Sequence, residues 1–261
     1  MDKDMEKSKT GHYEFVVEPF HTDFTGRLFM GVLGNHLLNC AGFHAADRGF
    51  GMANLHESNY TWVLSRLAVE LEEMPEAYSA FAVDTWIENV YRLFTDRNFR
   101  ITGVDGKVYG YARSVWAMIN MDTRKPADLL ELHGGRIADY ILQDKECPID
   151  KPSRIKVSAP SPVRSIETQY SDIDINGHVN SIKYIEHILD LFPKDWYADH
   201  HLARFEMAYV TESYYRDTLH FFLEEKEPGR IYDIEVKKDT TTGDTPHTET
   251  VCRSKLIFHN K

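Results

Sequence analysis

The segment Ser181–Phe192 reads SIKYIEHILDLF and predicts an amphipathic helix. Its apolar side chains recur every three or four residues and form one stripe, made of Ile182, Ile185, Ile188, Leu189 and Phe192. Asn180 or Ser181 can cap the start of the helix, and Pro193 ends it because proline has no N–H group to donate.

The pattern changes from helix to strand after this segment. Four strand-like segments follow, at Arg204–Val210, Thr218–Glu224, Ile231–Lys238 and Glu249–Phe258. Thr242, Gly243 and Asp244 predict a hairpin turn between the last two of them.

The same order of elements occurs earlier in the chain. Leu28–Ala46 predicts a helix, in which Gly31, Gly34 and Gly42 allow another backbone to approach closely. Strand-like segments follow it at Leu64–Leu71, Ala80–Ile87, Tyr91–Val104 and Tyr109–Met121.

Two short similarities suggest that the chain contains an internal repeat. The sequence around Arg66 (WVLSRLAVEL) is similar to that around Arg204 (HHLARFEMAY). The segments that end at Asp23 and Asp172 are also similar, although at a different spacing, so the halves align only with gaps. Chance similarity between amphipathic elements is the alternative.

One strand, one helix and four or more strands, read twice, predict an α+β fold. This is the plan of a tandem double hot-dog protein, in which each antiparallel sheet wraps around one central helix. We predict a first half over residues 11–140, a linker with four prolines over 141–162, and a second half over 163–261. Because a duplicated hot dog pairs two units within one chain, we expect a monomer or a homodimer.

The composition excludes several classes of partner. The net charge of −11 disfavours nucleic acid and anionic membrane surfaces. No apolar run approaches the ~20 residues of a membrane-spanning helix. The segment Met1–Lys9 lacks the apolar core of a signal peptide, so we expect a cytoplasmic protein.

The cysteines and histidines suggest neither a disulfide framework nor a metal site. Cys40, Cys147 and Cys252 are far apart and odd in number, which favours reduced packing residues. His200 and His201, with His220 nearby, lack the spacing of a metal-binding motif. We therefore expect no metal and no cofactor.

The stretch Tyr170–Ile185 contains the most chemically informative residues. Two aspartates, two asparagines and a histidine crowd the loop before the helix: Asp172, Asp174, Asn176, His178 and Asn180. Gly177 permits a tight turn that could bring a carboxylate, an amide and an imidazole together. The helix behind could add backbone N–H groups and the positive end of its dipole to stabilise an oxyanion.

The alternative is that these polar residues only cap the helix and turn the chain. Against it, the matching segment Asp23–Leu28 of the first half keeps the turn without asparagine or histidine.

The loop resembles that of the acyl-ACP thioesterases of plant plastids and their bacterial relatives. The resemblance starts at Asp174, Asn176, His178, Val179 and Asn180, and continues through Lys183, Tyr184 and Ile185. It covers nearly the whole chain, including Gly49–Gly51, Arg66 and Val83–Trp86 in the first half. Tyr209–Asp217 is similar to the strand on which the family carries a Glu-Cys pair, with Ser213 in place of the cysteine.

The resemblance implies that Asp174, Asn176 and His178 form a catalytic loop and that Glu212 faces it. It also implies an acyl-chain pocket in the first half and an acyl carrier protein as partner. We favour direct attack by water, with Glu212 or His178 as the general base. Ser213 as a nucleophile is the other possibility, although no nucleophile elbow presents it.

Three other functions stay open at this stage: an acyl-CoA thioesterase, a hot-dog hydratase or dehydratase, and a non-catalytic acyl-binding module. Local basic residues would have to attract an acidic carrier protein against the negative charge of the whole chain. Arg124, Lys125, Arg136 and Lys151 are the predicted contributors.

Overall fold

The computed structural model describes residues 8–242 and 245–261, so the predicted turn at Gly243 and Asp244 lies outside the described residues. Most of Met1–Lys9 also lies outside them. The elements of the first half are β1 (Thr10–Val16), α1 (Met30–Ala46), α2 (Met52–Glu57), β2 (Tyr60–Leu71), β3 (Ala80–Val90), β4 (Phe94–Gly103) and β5 (Val108–Asn120).

The second half begins after a connecting segment. A 3-10 helix at Leu132–Tyr140 follows β5 and closes the first half. Each half also has a short 3-10 turn before its main helix, at Pro19–His21 in the first half and at Tyr170–Asp172 in the second. The remaining elements are β6 (Arg164–Glu167), α3 (Ser181–Leu189), α4 (Lys194–Asp199), β7 (His200–Tyr209), β8 (Thr218–Glu227), β9 (Ile231–Thr242) and β10 (Thr245–Asn260).

Within the described ranges, ten strands form one sheet in the order β1-β3-β4-β5-β2-β7-β10-β9-β8-β6. Every neighbouring pair is antiparallel, and each half contributes five adjacent strands. The halves join where Arg66–Glu70 of β2 pairs with Arg204–Ala208 of β7.

A β-bulge lies at the same place in both central strands. The register shifts between Leu64 and Arg66 in β2, and between the residues that pair with Leu202 and Arg204 in β7. Each bulge bends its strand one residue before the arginine. These matching bulges support the alignment of Arg66 with Arg204.

The long helices α1 and α3 contact each other on the inner side of the sheet. A Cβ atom on Gly34 would lie 2.8 Å from Cδ1 of Ile182, and one on Gly31 would lie 2.9 Å from Cγ of Glu186. These two glycines therefore bring the helices close together, as expected. Gly42 differs, because a Cβ atom there would meet no described atom within 4 Å.

The described segment 141–163 contains no helix or strand and covers the outer face of the sheet. Phe205 points into the core, and its neighbours Arg204 and Glu206 point to the other face because strand side chains alternate. The connecting segment buries both: Glu206 accepts from the backbone N–H of Ser153 at 2.6 Å, and Arg204 donates to the carbonyl of Asp150 at 2.9 Å.

Both predicted helices and all eight predicted strands are present, with ends shifted by a few residues. Helix α3 ends at Leu189 rather than Phe192, because Leu191 and Phe192 donate to carbonyls three residues back and tighten the chain. Helices α2 and α4 were not predicted, and neither was the 3-10 helix at Leu132–Tyr140. They are too short to show a clear helical period.

The structure corrects the alignment of the first aspartate. An isolated bridge joins Thr22 to Leu28 in the first half, and another joins Ile173 to Val179 in the second. The numbers 22 and 173 differ by 151, as do 28 and 179, so Asp23 corresponds to Asp174 and not to Asp172. The sequence match was misleading because aspartates stand at both positions.

Candidate active site

The loop between Ile173 and Val179 is a tight turn held by its own backbone. The N–H of Asp174 donates to the carbonyl of His178 at 2.9 Å, and that of Gly177 donates to the carbonyl of Asp174 at 3.0 Å. Gly177 has a φ of +79°, which favours glycine. One carboxylate oxygen of Asp174 accepts from the N–H of Asn176 at 2.8 Å. Asp174 therefore shapes the turn that presents Asn176 and His178.

His178 faces Glu212, as the resemblance implied. Its Nδ1 lies 3.5 Å from Oε1 of Glu212, and both side chains are partly exposed. The backbones are joined next to this pair, because the N–H of Val179 donates to the carbonyl of Ser213 at 2.8 Å. Lys238 donates to the carbonyl of Glu212 at 2.6 Å and holds the same segment from the sheet side.

Two further residues, which the sequence had not placed at the catalytic loop, complete the surroundings of this pair. Arg124 of the first half forms an ion pair with Oε1 of Glu212, so both halves contribute to the site. It does so from a turn in which its φ is +57°, an uncommon value for a residue other than glycine. The ring of Tyr214 stands edge-on to His178, with centroids 5.1 Å apart. Tyr214 thus contacts the site and is exposed, rather than packing within the sheet.

The other polar residues of the loop are structural. Asp172 is buried, and its carboxylate lies 3.0 Å from Nε2 of His187 and accepts from the N–H of Gln169. Asn180 caps α3 by accepting from the N–H of Ile182, and its carbonyl accepts from Lys183. The capping interpretation is therefore right for these two residues. These bonds also occupy helix N–H groups that we had expected to stabilise an oxyanion.

Ser213 is fully buried beneath the loop. Its Oγ forms no well-aligned hydrogen bond among the described residues, although it lies near the hydroxyl of Tyr184, and no basic side chain there is paired with it. The three cysteines are buried as well, and burial raises the pKa of each thiol, that of Cys40 to about 12. A thiolate or alkoxide nucleophile has no support from this geometry.

A cavity of about 210 Å³ opens next to the loop. Asn176, which is exposed, also lines it and therefore lies at its opening. The other walls come from the first half: the C-terminal part of α1, the segment that follows it, the sheet and the 3-10 helix. Its apolar walls are formed mainly by Leu38, Ala41, Phe50, Trp62, Ile87, Trp116 and Ile137.

The same cavity contains buried polar groups. Burial, together with the charges of Arg97 and Arg48, lowers the pKa of His44 to about 3, so its ring is neutral. Burial and Arg48 lower the pKa of Arg97 to about 10, which still leaves the guanidinium charged at neutral pH. These groups could not be predicted from the sequence, because their positions depend on how α1 packs on the sheet.

A wider cleft of about 950 Å³ lies beside the corresponding loop of the first half. There Thr25 and Arg27 occupy the positions of Asn176 and His178. Arg27 is committed to structural contacts, since it donates to the carbonyl of Met74 at 2.8 Å and pairs with Glu76 at 3.0 Å. The turn beside this cleft therefore lacks the amide and the imidazole that the turn of the second half carries.

The histidines considered for metal binding are used in packing. His200 stacks on Trp196 with ring centroids 3.6 Å apart, and His201 hydrogen-bonds the carbonyl of Leu71. His220 lies between Ser165 and Asp239. Within the described residues, no helix is long and apolar enough to cross a membrane.

A continuous sheet over two long helices, with a polar loop of one half at a cavity of the other, defines a double hot-dog protein of the thioesterase class. Two family domains match the sequence: the acyl-ACP thioesterase N-terminal domain over residues 8–132 and the C-terminal domain over residues 156–252. The chain belongs to the acyl-ACP thioesterase family.

Solved structures agree with this assignment. An acyl-ACP thioesterase from Bacteroides thetaiotaomicron is 64% identical, with a TM-score of 0.88 over 96% of this chain and 98% of that one. A 12:0-ACP thioesterase from Umbellularia californica is 19% identical, with a TM-score of 0.81 over 98% and 99% of the two chains, and shows the same fold. The predicted fold is thus confirmed.

Curated plant relatives are more distant. The chloroplast palmitoyl-acyl carrier protein thioesterase of Gossypium hirsutum is 28% identical over 69% of this chain and 46% of its own length. The oleoyl-acyl carrier protein thioesterase of Coriandrum sativum is 24% identical over 79% and 60%. The chain spans about half of the first of these relatives.

Proposed function

We propose that this protein hydrolyses fatty acyl thioesters of acyl carrier protein to free fatty acid and carrier thiol, as a step of fatty acid biosynthesis. The observation that carries the proposal is the His178–Glu212 pair, which stands beside Asn176 at the opening of an apolar cavity. Apolar walls suit an acyl chain, and the polar groups lie at the end where a thioester carbonyl would lie.

The halves divide the work in this proposal. Residues 11–140 hold the acyl chain, 163–261 carry the catalytic loop, and 141–162 connect the two. Arg124 is the exception, because it belongs to the first half and orients Glu212. A cytoplasmic location remains the prediction of the sequence.

Water is the nucleophile in the mechanism that we propose. Arg124 and His178 both contact Oε1 of Glu212, and Oε2 has no partner among the described residues, so Oε2 is positioned to accept a proton from water. The water oxygen then adds to the thioester carbonyl carbon. When the C–S bond breaks, the carboxylic acid forms and the proton returns to the thiolate, giving the thiol.

Asn176 stabilises the negative oxygen of the tetrahedral intermediate. Its amide nitrogen lies 3.5 Å from the carboxylate of Asp174, a long contact that leaves the amide able to donate elsewhere. His178 aligns Glu212 by donating from Nδ1, and in the imidazolium form its Nε2, which has no described partner, also donates to the oxyanion or the sulfur. Asp174 acts by holding the turn.

A thiol-release assay with long-chain acyl thioesters tests this proposal. We expect free thiol and free fatty acid in equal amounts. An enoyl thioester with the thiol still masked would instead identify a hydratase or dehydratase. Tight binding of the thioester without turnover would identify an acyl-binding module.

The carrier is tested by comparing acyl-ACP with the matching acyl-CoA over a salt series. Of the predicted basic contributors, Arg124 pairs with Glu212 and Lys151 pairs with Asp96, whereas Lys125 and Arg136 are exposed. We expect a higher kcat/KM on acyl-ACP, with an advantage that shrinks as salt screens charges over ~8–10 Å. Equal or better efficiency on acyl-CoA at low salt would assign the protein to coenzyme A thioesters instead.

A further inference from the structure

The cavity beside Asn176 is positively charged, although the protein is strongly negative. Arg48 and Arg97 line it together with the neutral His44 and the apolar residues, and no carboxylate of the described chain does. The cleft beside Arg27, by contrast, is lined by five acidic residues, Asp23, Glu72, Glu73, Glu186 and Asp190. A plain hydrocarbon chain does not require charged walls, so the polar groups need a separate explanation.

Arg97 lies deep in the wall and has few partners. Its side chain is 6% exposed, and its one side-chain hydrogen bond runs from Nη1 to Oγ1 of Thr85 at 3.1 Å. Within the described residues it forms no ion pair. A guanidinium carries five N–H donors, and leaving such donors unpaired in an apolar site is costly. If an alkyl chain displaced the water from this cavity, most of these donors would lose their partners.

His44 supplies the complementary group. It is fully buried, and its Nε2 lies 3.2 Å from the carbonyl of Lys9. Because a carbonyl oxygen can only accept, Nε2 must carry the proton of the neutral ring. Nδ1 is then a bare acceptor, and it has no hydrogen-bond partner among the described residues.

Arg97 can therefore donate into the cavity, and the unpartnered acceptor Nδ1 of His44 lies buried in the same wall. We propose that this cavity recognises an acyl chain that carries a hydroxyl group, so that the preferred substrates are hydroxyacyl thioesters. A hydroxyl accepts from Arg97 and donates to His44, whereas a keto or carboxylate oxygen satisfies Arg97 alone. The inference rests on the proposed function, because it assumes that the cavity holds the acyl chain.

The size of the expected preference follows from the polar groups that stay without hydrogen bonds when the bound acyl chain has no hydroxyl. Sites built to hydrogen-bond a substrate hydroxyl discriminate strongly against the analogue that lacks it, because buried polar groups then stay unpaired. The cavity is small, about 210 Å³, which limits the carbons at which the hydroxyl can lie.

The test compares a dodecanoyl thioester with a set of its monohydroxy isomers, all on the same carrier. We expect at least one isomer to have a kcat/KM about tenfold or more above that of the unsubstituted chain. Arg97→Met should remove most of this preference, measured as the ratio of kcat/KM on the hydroxy isomer to kcat/KM on the unsubstituted thioester. Arg100→Met removes a cation from the same strand that does not line the cavity, and it should keep the preference.

A binding measurement tests the preference without turnover, and it does not require that Arg97→Met folds. Calorimetry on His178→Ala compares dodecanoic acid with its hydroxy isomers, and we expect one isomer to bind about tenfold more tightly or better. The inference is overturned if the unsubstituted chain is hydrolysed and bound at least as well as every hydroxy isomer. Absence of thioester hydrolysis would overturn the proposed function instead, and the binding comparison would still decide the hydroxyl preference.

Discussion

The turns at residues 22–28 and 173–179 are the same structure built twice with different side chains. Gly26 and Gly177 have φ values of +77° and +79°. Asp23 and Asp174 each accept from the N–H two residues later, at 2.7 and 2.8 Å. An aspartate and a glycine are therefore enough to make this turn. Asn176 and His178 are additions that the backbone does not need.

The space beside each long helix differs as well. Helix α1 has 17 residues, and its C-terminal part lines the cavity, whereas α3 stops after nine. Counted from the helix starts, the cavity-lining Ala41 and Ala45 correspond to Phe192 and Trp196. Those two rings contact each other and also Tyr232 and Phe258, so aromatic side chains fill the second half where the first is hollow.

The largest effect should come from the side chains that distinguish the two turns. We expect His178→Ala and Asn176→Ala each to lower kcat by ~10²–10³, because each removes a group that acts on the transition state. Thr25→Ala is the matched control in the other turn and should leave the rate nearly unchanged. Circular dichroism and thermal melting check that all three variants fold. Activity above about a third of normal in both loop variants would move the site elsewhere.

A smaller effect concerns the stability of the protein in acid. It arises in the first half, where the cavity wall contains the fully buried His44. The unfolded chain gains a proton at His44 as the pH falls through about 6.5, whereas the folded chain holds the ring neutral until about 3. Folding stability therefore falls with pH in this window. Between pH 7 and 5, His44→Gln should lose roughly 2 kcal/mol less stability than the wild type.

Urea unfolding at each pH measures this difference. His56→Asn, which replaces an exposed histidine of the same half, should keep the wild-type slope. Identical slopes for His44→Gln and the wild type would mean that His44 is not held neutral in the folded protein.

Filling the cavity of the first half with a side chain should lower activity without lowering stability, because it gives this half the filled interior that the second half already has. Gly42 lines the cavity, and a Cβ atom there meets no described atom within 4 Å, so the first side-chain atom of Gly42→Leu has room and the rest of the side chain can enter the cavity. We expect kcat/KM on long acyl chains to fall by about tenfold, while stability holds or rises by up to ~1 kcal/mol from better helix propensity.

Phe192→Ala makes the opposite change in the second half. It opens the aromatic cluster and should lower the free energy of unfolding by roughly 3 kcal/mol with little change in kcat. The comparison between hollow and filled halves would be wrong if Gly42→Leu left kcat/KM unchanged at every chain length.

The sequence predicted features that depend on neighbouring residues, and it did not predict features that depend on contacts between distant segments. The stripe of α3 and the residues around Asp174 lie within single segments, so the helix and the loop were predictable. The ion pair between Arg124 and Glu212 joins residues far apart in the chain, through the contact between the two halves. The polar wall of the cavity likewise requires α1, which carries His44, to pack on the sheet that carries Arg97. The two aspartates near the second turn could be told apart only by the backbone bridge from Ile173 to Val179.

The smallest effect should come from replacing the cysteines, which lie in both halves of the molecule. Cys40 lies in α1 beside the hollow, and Cys252 lies in the filled half, yet burial raises the pKa of both thiols. Replacing Cys40, Cys147 and Cys252 together by alanine should change kcat/KM by less than about a factor of two, because a buried neutral thiol is a poor nucleophile. Ser213→Ala should behave alike, since no basic side chain of the described residues is paired with its buried hydroxyl. Steady-state rates before and after treatment with iodoacetamide test both expectations. Rapid inactivation of the wild type that the triple variant escapes would point to a covalent mechanism, and a large loss in Cys40→Ala alone would place that thiol in the acyl cavity.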